Sequence, residues 1–267
     1  MTSLTDSEFG QFQRFIFEIA GINLTKAKKA LVSGRLAKRL VACRVPSYGD
    51  YFRLLTSGQQ PQELQTAVDL LTTNETYFFR EPKHFHFLRQ YIMSEEAPSA
   101  VRIWSAAGST GEEAYSIAML LEDCLPRQPW EVVASDISTR VLERARGGHY
   151  SMDRLSHFPP GYLQRFCLKG HGEQAGTMLI ERRVRSRVRF LQVNLNAQLP
   201  RLGLFNVVFL RNVMIYFNTQ TKRKVVDSVL NVLKPGGYLL IGHSESLLDV
   251  NETMELVAPA IYRKPKR

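Results

Sequence analysis

Residues 101–119, VRIWSAAGSTGEEAYSIAM, read as a short apolar strand, a glycine turn and a helix in immediate succession. VRIWSA (101–106) is a β-branched and aromatic run of strand length, and 112–125 repeats its apolar residues at helical spacing. The rhythm continues downstream. EVVASD (131–136) is a strand and 139–146 a helix; FNVVFLRN (205–212) is a strand and 220–233 a helix. That helix is broken by Lys234-Pro235-Gly236-Gly237 before YLLIGHSE (238–245), a further strand. Strands alternating with helices predict an α/β fold with a parallel sheet. Ligands of such sheets sit beyond the carboxyl ends of the strands, where the strand order reverses. Gly108 and Gly111 let the backbone approach a ligand there, although a tight turn alone would also explain them. The dinucleotide G-x-G-x-x-G and the P-loop G-x-x-x-x-G-K-[ST] are both absent. Asp136 ends the second strand, the usual place for an acid that grips ribose hydroxyls, and a carboxylate suits that task because it only accepts. It would equally serve as the cap of the following helix.

Upstream, the first 70 or so residues read as all-helical. Thr5 and Glu8 form a T-x-x-E capping box, Phe9, Phe12, Ile16 and Ile19 follow at helical spacing, and Gly21 is a stop. The next segment, 24–44, carries Lys26, Lys28, Lys29, Arg35, Lys38, Arg39 and Arg44 with no acid. As a helix it places Val32, Leu36, Leu40 and Cys43 on one stripe, with Lys28, Arg35, Lys38 and Arg39 on the neighbouring face. A turn at 46–49 and two helical stretches, 51–55 and 61–71, complete this part. Residues 148–191 break the α/β rhythm: Pro159-Pro160-Gly161, the loop Gly170-x-Gly172-x-x-x-Gly176 and the alternating TMLIERRVRSRVRFLQV predict a small antiparallel insertion.

The composition bounds the function. The chain has 267 residues, 44% hydrophobic and 22% charged, which excludes a disordered chain. No apolar run approaches the roughly 18 residues of a membrane span, and the start lacks a signal-peptide pattern. Cys43, Cys124 and Cys167 form no C-x-x-C pair, so reduced thiols in a cytoplasmic protein are expected and no metal site. Lys and Arg outnumber Asp and Glu by 35 to 25, a net charge of +10, which calls for an acidic partner, nucleic acid by default.

Glycine turn, strand-end acid and the late LKPGGYLLIG segment together resemble a Rossmann-like class I S-adenosylmethionine-dependent methyltransferase, with ETMELVAPAIYR as its late antiparallel strand. NETYFFRE (74–81), AAGSTGEEAYSIAM (106–119), RNVMIYF (211–217) and GHSES (242–246) narrow the resemblance to the CheR family of chemotaxis receptor glutamate methyltransferases. It runs nearly end to end. It implies a helical N-terminal domain (1–75), a linker closing over the cofactor (76–96) and a catalytic domain (97–267) with a β-subdomain inserted at about 148–191. The cofactor would be S-adenosyl-L-methionine, the product S-adenosyl-L-homocysteine, and the reaction γ-methyl esterification of glutamates on receptor helices.

The resemblance also implies roles. Asn74, Thr76 and Arg80 match the closing linker; Ala106 and Gly108 belong to the cofactor turn; Glu113 and Asp136 match acids that hold the adenosine part. Asn194, Leu195, Arg211, Asn212 and Val213 match segments flanking adenine and the methionine moiety, and Arg80 and Tyr216 match catalytic positions near the methyl group. Ala114 stands where family members often carry proline, which would only pre-set a helix start. Glutamate, with a pKa near 4.3, is ionised at neutral pH, so no general base is needed. His84, His86 and His243 therefore read as ordinary structural or surface groups. In some members the β-subdomain binds a receptor C-terminal peptide. Lys169, Gly170, Gly172 and Gly176 resemble that site, but Lys169 and Leu179 stand where arginines are expected, which leaves the tether open.

Two rival functions are weaker. A nucleic-acid methyltransferase would carry an Asn/Asp-Pro-Pro-Tyr/Phe motif where RNVMIY stands, or a Pro-Cys nucleophile, and no cysteine here follows a proline. A non-catalytic module would not need Arg80, Asp136, Asn212 and Tyr216 together. The expected partners are therefore chemoreceptor cytoplasmic domains docked on Lys28, Arg35, Lys38 and Arg39, with no nucleic acid and no insertion into the membrane. The protein is expected to be a cytoplasmic monomer recruited to membrane receptor arrays.

Overall fold

The computed structural model describes residues 3–155 and 157–266. The N-terminal part comprises helices α1 (Asp6–Ala20), α2 (Lys29–Ala42), α3 (Tyr48–Thr56) and α4 (Pro61–Leu71). Thr5 and Glu8 cap α1 reciprocally, and Gly21 ends it in the left-handed conformation. Phe12, Ile16, Val32, Leu36, Tyr51 and Val68 make its core. Inside this apolar setting Arg39 of α2 grips Glu63 of α4 through Nε (2.9 Å) and Nη2 (2.5 Å), and Tyr51 donates to the same carboxylate at 2.6 Å. Burial pushes Glu63 up, but the hydrogen bonds from Arg39 and Tyr51 outweigh it and hold the carboxyl below its ordinary range. A two-pronged pair of this kind sets the angle between the helices.

The remaining elements are α5 (Pro82–Ile92), β1 (Val101–Ser105), α6 (Glu112–Cys124), β2 (Trp130–Asp136), α7 (Thr139–Gly147), β3 (His149–Ser151), α8 (Tyr162–Phe166), β4 (Cys167–Lys169), β5 (Thr177–Ile180), α9 (Arg182–Arg185), β6 (Val188–Gln192), β7 (Phe205–Leu210), α10 (Thr219–Val232), β8 (Leu233–Ile241), β9 (Glu255–Ala258) and β10 (Ile261–Arg263). Seven strands form one sheet in the order β6-β2-β1-β7-β8-β10-β9. β6, β2, β1, β7 and β8 run parallel, and β10 lies antiparallel to both β8 and β9. Every residue of β7 is buried, as a central strand covered on both faces requires. Ile103, Val207 and Leu240 face a core shared with α5 and α6, whereas Trp104, Val208 and Leu239 face one shared with α10.

Several boundaries differ from the sequence reading. Val188–Gln192 pairs with β2 in the main sheet, so the antiparallel insertion, order β3-β5-β4, closes before Val188 rather than at 191. The alternation through RRVRSRVRFLQV spans a short helix and an edge strand, which pattern alone merges. Lys234 to Gly237 lies within β8 instead of preceding it, and β8 stops at Ile241, leaving GHSE as a turn. ETMELVAPAIYR folds as two strands, not one.

The two parts are joined by a carboxylate. Asp69 of α4 accepts from Thr139 N (3.1 Å), Thr139 Oγ1 (2.9 Å) and Arg140 N (3.1 Å), the exposed amides at the start of α7. It satisfies donors the helix cannot pair internally and places negative charge at its positive end. Asn194 Nδ2 donates to Ile19 O at 2.7 Å from the other side. Asp69→Ala should cost about 1–2 kcal/mol of stability, typical of a lost helix cap; equilibrium urea denaturation would read it, and an unchanged midpoint would contradict this role.

Candidate functional site

The strand order reverses between β1 and β7, and there a cleft opens at the carboxyl ends of the strands. The turn after β1 forms its floor. Ala106 N donates to Phe209 O of β7 and Gly108 N to Ser135 O of β2, each at 2.8 Å, so the turn hangs between the flanking strands. Gly111 then starts α6 at φ 95°, where a Cβ would lie 2.8 Å from the Tyr150 hydroxyl and 2.9 Å from Ala145 Cβ. No other residue fits there.

Asp136 reaches the floor from the end of β2. Its carboxylate accepts from Ser109 N at 3.0 Å and Ser138 N at 2.9 Å, while Ser138 caps α7, so Asp136 is not that helix's cap. Burial pushes its pKa up to about 6, against amides of Ser138, Ser109 and Ile137 that favour the charged form. Each oxygen keeps acceptor capacity for a ligand hydroxyl.

Opposite lies a buried charge cluster. The Arg211 side chain, 1% exposed, sits 3.1 Å from Glu113 and 3.2 Å from Glu81, and donates to the carbonyl of Arg80. Glu113 also accepts from Ser105 Oγ at 2.7 Å. Burial raises the Glu113 pKa, with Arg211 and Ser105 opposing. Burial likewise works against ionised Glu81, but Arg211, His243 N and Asn212 Nδ2 prevail and its pKa is lowered. Glu245 accepts from Asn212 N (2.9 Å) and Gly242 N (2.6 Å), fixing the loop after β7. A Cβ at Gly242 would lie 2.5 Å from Asn212 Nδ2.

Of the residues picked out by sequence, Asn74, Thr76, Arg80, Ala106, Glu113, Asp136, Asn194, Leu195, Arg211, Asn212, Val213 and Tyr216 line this one cleft. Gly108 does not; it supports the floor from behind. Ala20, Ile22, Ser109, Ile137 and Phe217 also line it and escaped the sequence reading. Ser109 and Ile137 adjoin residues already singled out, so proximity in sequence was a usable signal. Ala20 and Ile22 reach the cleft only because the helical domain docks, through a bridge between Ile22 and Phe217 and a hydrogen bond from Asn23 N to Tyr216 O. The helix expected to carry all four basic residues begins only at Lys29: Lys28 ends a 3-10 turn, Lys26–Lys28, and is exposed, as is Lys38 of α2, whereas Arg39 is held by Glu63 and Arg35 Nη1 donates to Thr72 O at 2.9 Å. Lys169 and Gly170 line a separate groove on the β-subdomain, with Leu168, Gln174 and Leu179 among its other walls. Gly172 and Gly176 belong to the adjoining loop.

A parallel sheet closed by an antiparallel β9–β10 hairpin, with an acid-floored cleft at its switch point, defines a class I S-adenosylmethionine-dependent methyltransferase. The chain belongs to the CheR methyltransferase family: residues 74–262 match its SAM-binding domain and residues 7–72 its all-alpha domain. It is 39% identical over 267 residues to the chemotaxis protein methyltransferase of Escherichia coli strain K12, covering 99% of this chain and 93% of that protein. It is 38% identical over 262 residues to chemotaxis protein methyltransferase 2 of Pseudomonas aeruginosa PAO1, covering 97% and 93%. A solved structure of the glycopeptide N-methyltransferase MtfA is similar with a TM-score of 0.39 and 19% identity, covering 65% of this chain and 53% of that one. The cofactor is S-adenosylmethionine, and the cleft's residues fit it: a buried acceptor for a diol and apolar Ile137, Leu195 and Val213 for a ring. Among the described residues no helix is long and apolar enough to cross a membrane.

An acid whose pKa is raised on folding holds its proton more tightly in the native state, so ionising Asp136 costs stability as the pH rises through about 6. Ligand hydroxyls need the ionised form. Affinity for S-adenosylhomocysteine should therefore fall as the pH drops through about 6, and calorimetric titration of Asp136→Asn should show weak binding without that dependence. A pH-independent wild type would contradict it.

Proposed function

We propose that the protein methylates glutamate side chains on the cytoplasmic helices of chemoreceptors, forming γ-methyl esters for sensory adaptation. Arg80 carries this reading. Its guanidinium lines the cleft, donates to Glu75 O at 3.0 Å and lies over the Tyr77 ring, and among the described residues it has no ion-pair partner. Arg211, by contrast, has two carboxylates. An uncommitted guanidinium beside the cleft suits an anionic side chain, which it can grip in two-pronged fashion.

When bound, S-adenosylmethionine supplies an electrophilic methyl group and leaves as S-adenosylhomocysteine. The chain's own residues bind, orient and exclude water. Asp136 would hold the ribose hydroxyls, with Glu113 anchoring the same region. Asn194, Leu195, Asn212 and Val213 would flank the adenine and the amino-acid part. Asn74 and Thr76 would close the linker over it, tied down by Ser109 Oγ donating to Asn74 O at 2.9 Å. Arg80 would orient the substrate carboxylate and Tyr216 donate a hydrogen bond near the reacting carbon. The nucleophile is already ionised, so positioning in a water-poor cleft is the catalytic work. Among the described residues no histidine or cysteine lines the cleft.

The α2 face would dock the acidic receptor helices. It borders the cleft, since Thr72, which accepts from Arg35, is part of the cleft wall. Lys38, and Lys28 in the turn just before α2, are exposed beside it and form no ion pair among the described residues, and salt should weaken docking. A receptor C-terminal peptide would add to the subdomain at β4, an edge strand in the order β3-β5-β4, beside the groove containing Lys169 and Gly170. The enzyme would work in the cytoplasm, recruited to receptor arrays.

Mass spectrometry of receptor cytoplasmic fragments incubated with enzyme and S-adenosylmethionine should find methyl groups on glutamates, removed by mild base as esters are. Arg80→Ala should lower turnover by about 10²-fold or more, the scale of losing an electrostatic contact to the reacting groups. Methylation of other residue types, or near-normal turnover in the variant, would sink the reading. Lys28→Glu with Lys38→Glu should raise KM for the receptor fragment and spare S-adenosylhomocysteine binding. Arg39→Glu should instead lower the unfolding midpoint, because it sets a second acid against Glu63. Equal KM values for the double variant and wild type would remove the docking face.

A further inference from the structure

Among the described residues, one trio of His, Cys, Asp and Glu side chains brings its donor atoms within 4.8 Å of one another: Glu81, His84 and His243. Glu81 Oε2 lies 3.4 Å from His84 Nδ1 and 4.0 Å from His243 Nε2. A four-coordinate zinc ion with bonds of about 2.0–2.2 Å separates its ligand atoms by about 3.4 Å. The first distance already matches, and the exposed His243 has room to close the second.

His84 is the unusual member. Its side chain is fully buried, yet neither ring nitrogen has a hydrogen-bond partner, and neither does Glu81 Oε2. Buried imidazoles normally donate one N–H and accept at the other nitrogen. Glu81 itself sits at φ 59°, a left-handed conformation rare for a side-chain-bearing residue. Metal-ligand spacing in the sequence gives no hint, because the second histidine comes from the loop after β8.

We propose that Glu81, His84 and His243 form a binding site for a zinc-class divalent cation, with water completing the coordination. Two imidazoles and one carboxylate are a donor set that zinc accepts. None of the three lines the cleft, so the ion would not touch the methyl group. It would instead tie the linker and first turn of α5 to the loop after β8. The opposing charge is Arg211, 3.2 Å from Glu81 Oε2, which the ion would displace from that oxygen while Glu113 keeps it paired.

The test uses the full chain after chelator treatment, titrated with cobalt(II) and with zinc. Wild type should bind a single cobalt ion with the intense visible absorption of a four-coordinate site, and zinc should raise its thermal midpoint. His243→Ala, an exposed change that leaves the His243 amide on Glu81, should weaken binding by about 10–100-fold or more, since even residues behind a ligand cost that much. It should abolish the zinc-dependent shift while S-adenosylhomocysteine binding confirms an intact fold. His86→Ala, an exposed neighbour, should change neither. No four-coordinate cobalt spectrum, or equal binding by His243→Ala, would overturn the site; so would equal weakening by His86→Ala.

Discussion

A guanidinium shut away from water must be met by carboxylates and carbonyls, or it does not stay shut away. Arg211 meets that demand with groups from three places: Glu113 in the first turn of α6, Glu81 at the start of α5 and the carbonyl of Arg80 in the linker. Satisfying one charge thus holds the linker, the glycine turn's helix and the end of β7 around the head of the sheet. The cleft takes its shape from that convergence. Arg80 is held by its backbone, which leaves its side chain uncommitted to any acid.

The positive charge of the chain divides along the same line between structure and surface. Arg39 is consumed by Glu63 inside the helical domain, and Arg35 is half-buried, its hydrogen bond spent on the wall of the cleft. Lys38 on the same helix and Lys28 in the turn before it remain in solvent. Arginine takes the buried posts because its planar fork satisfies two acceptors at once, whereas lysine is a hydrated point charge better left in water. A count of basic residues overstates how many are available to a partner.

Much of this was legible in the sequence. The parallel sheet follows from the alternation of strands and helices, the capping box of α1 from Thr5 and Glu8, and the acid of the cleft from its place at the end of β2. The misses have physical causes. β6 was absorbed into the insertion because a strand at the sheet's edge alternates much as a hairpin does. Ala20 and Ile22 carry no local mark of a cleft, since only docking of two domains brings them there. Asp69 reads as an ordinary helical acid until α7 is placed against it. His84 looks like a core histidine, and only its unpaired nitrogens distinguish it.

The wall of the cleft is shared, with Ala20 and Ile22 from the helical domain facing Asp136, Leu195 and Val213 from the other. Anything filling it touches both, so its binding free energy adds to the free energy that keeps the two domains in register. At a ligand concentration a hundredfold above Kd that addition is about 2.7 kcal/mol, more than a single helix cap supplies. Saturated with cofactor or with product, the helical domain is bolted to the sheet by the ligand itself. Empty, it relies on the chain's own contacts, among them those of Asp69, Gln65, Asn194 and the short bridge at Ile22.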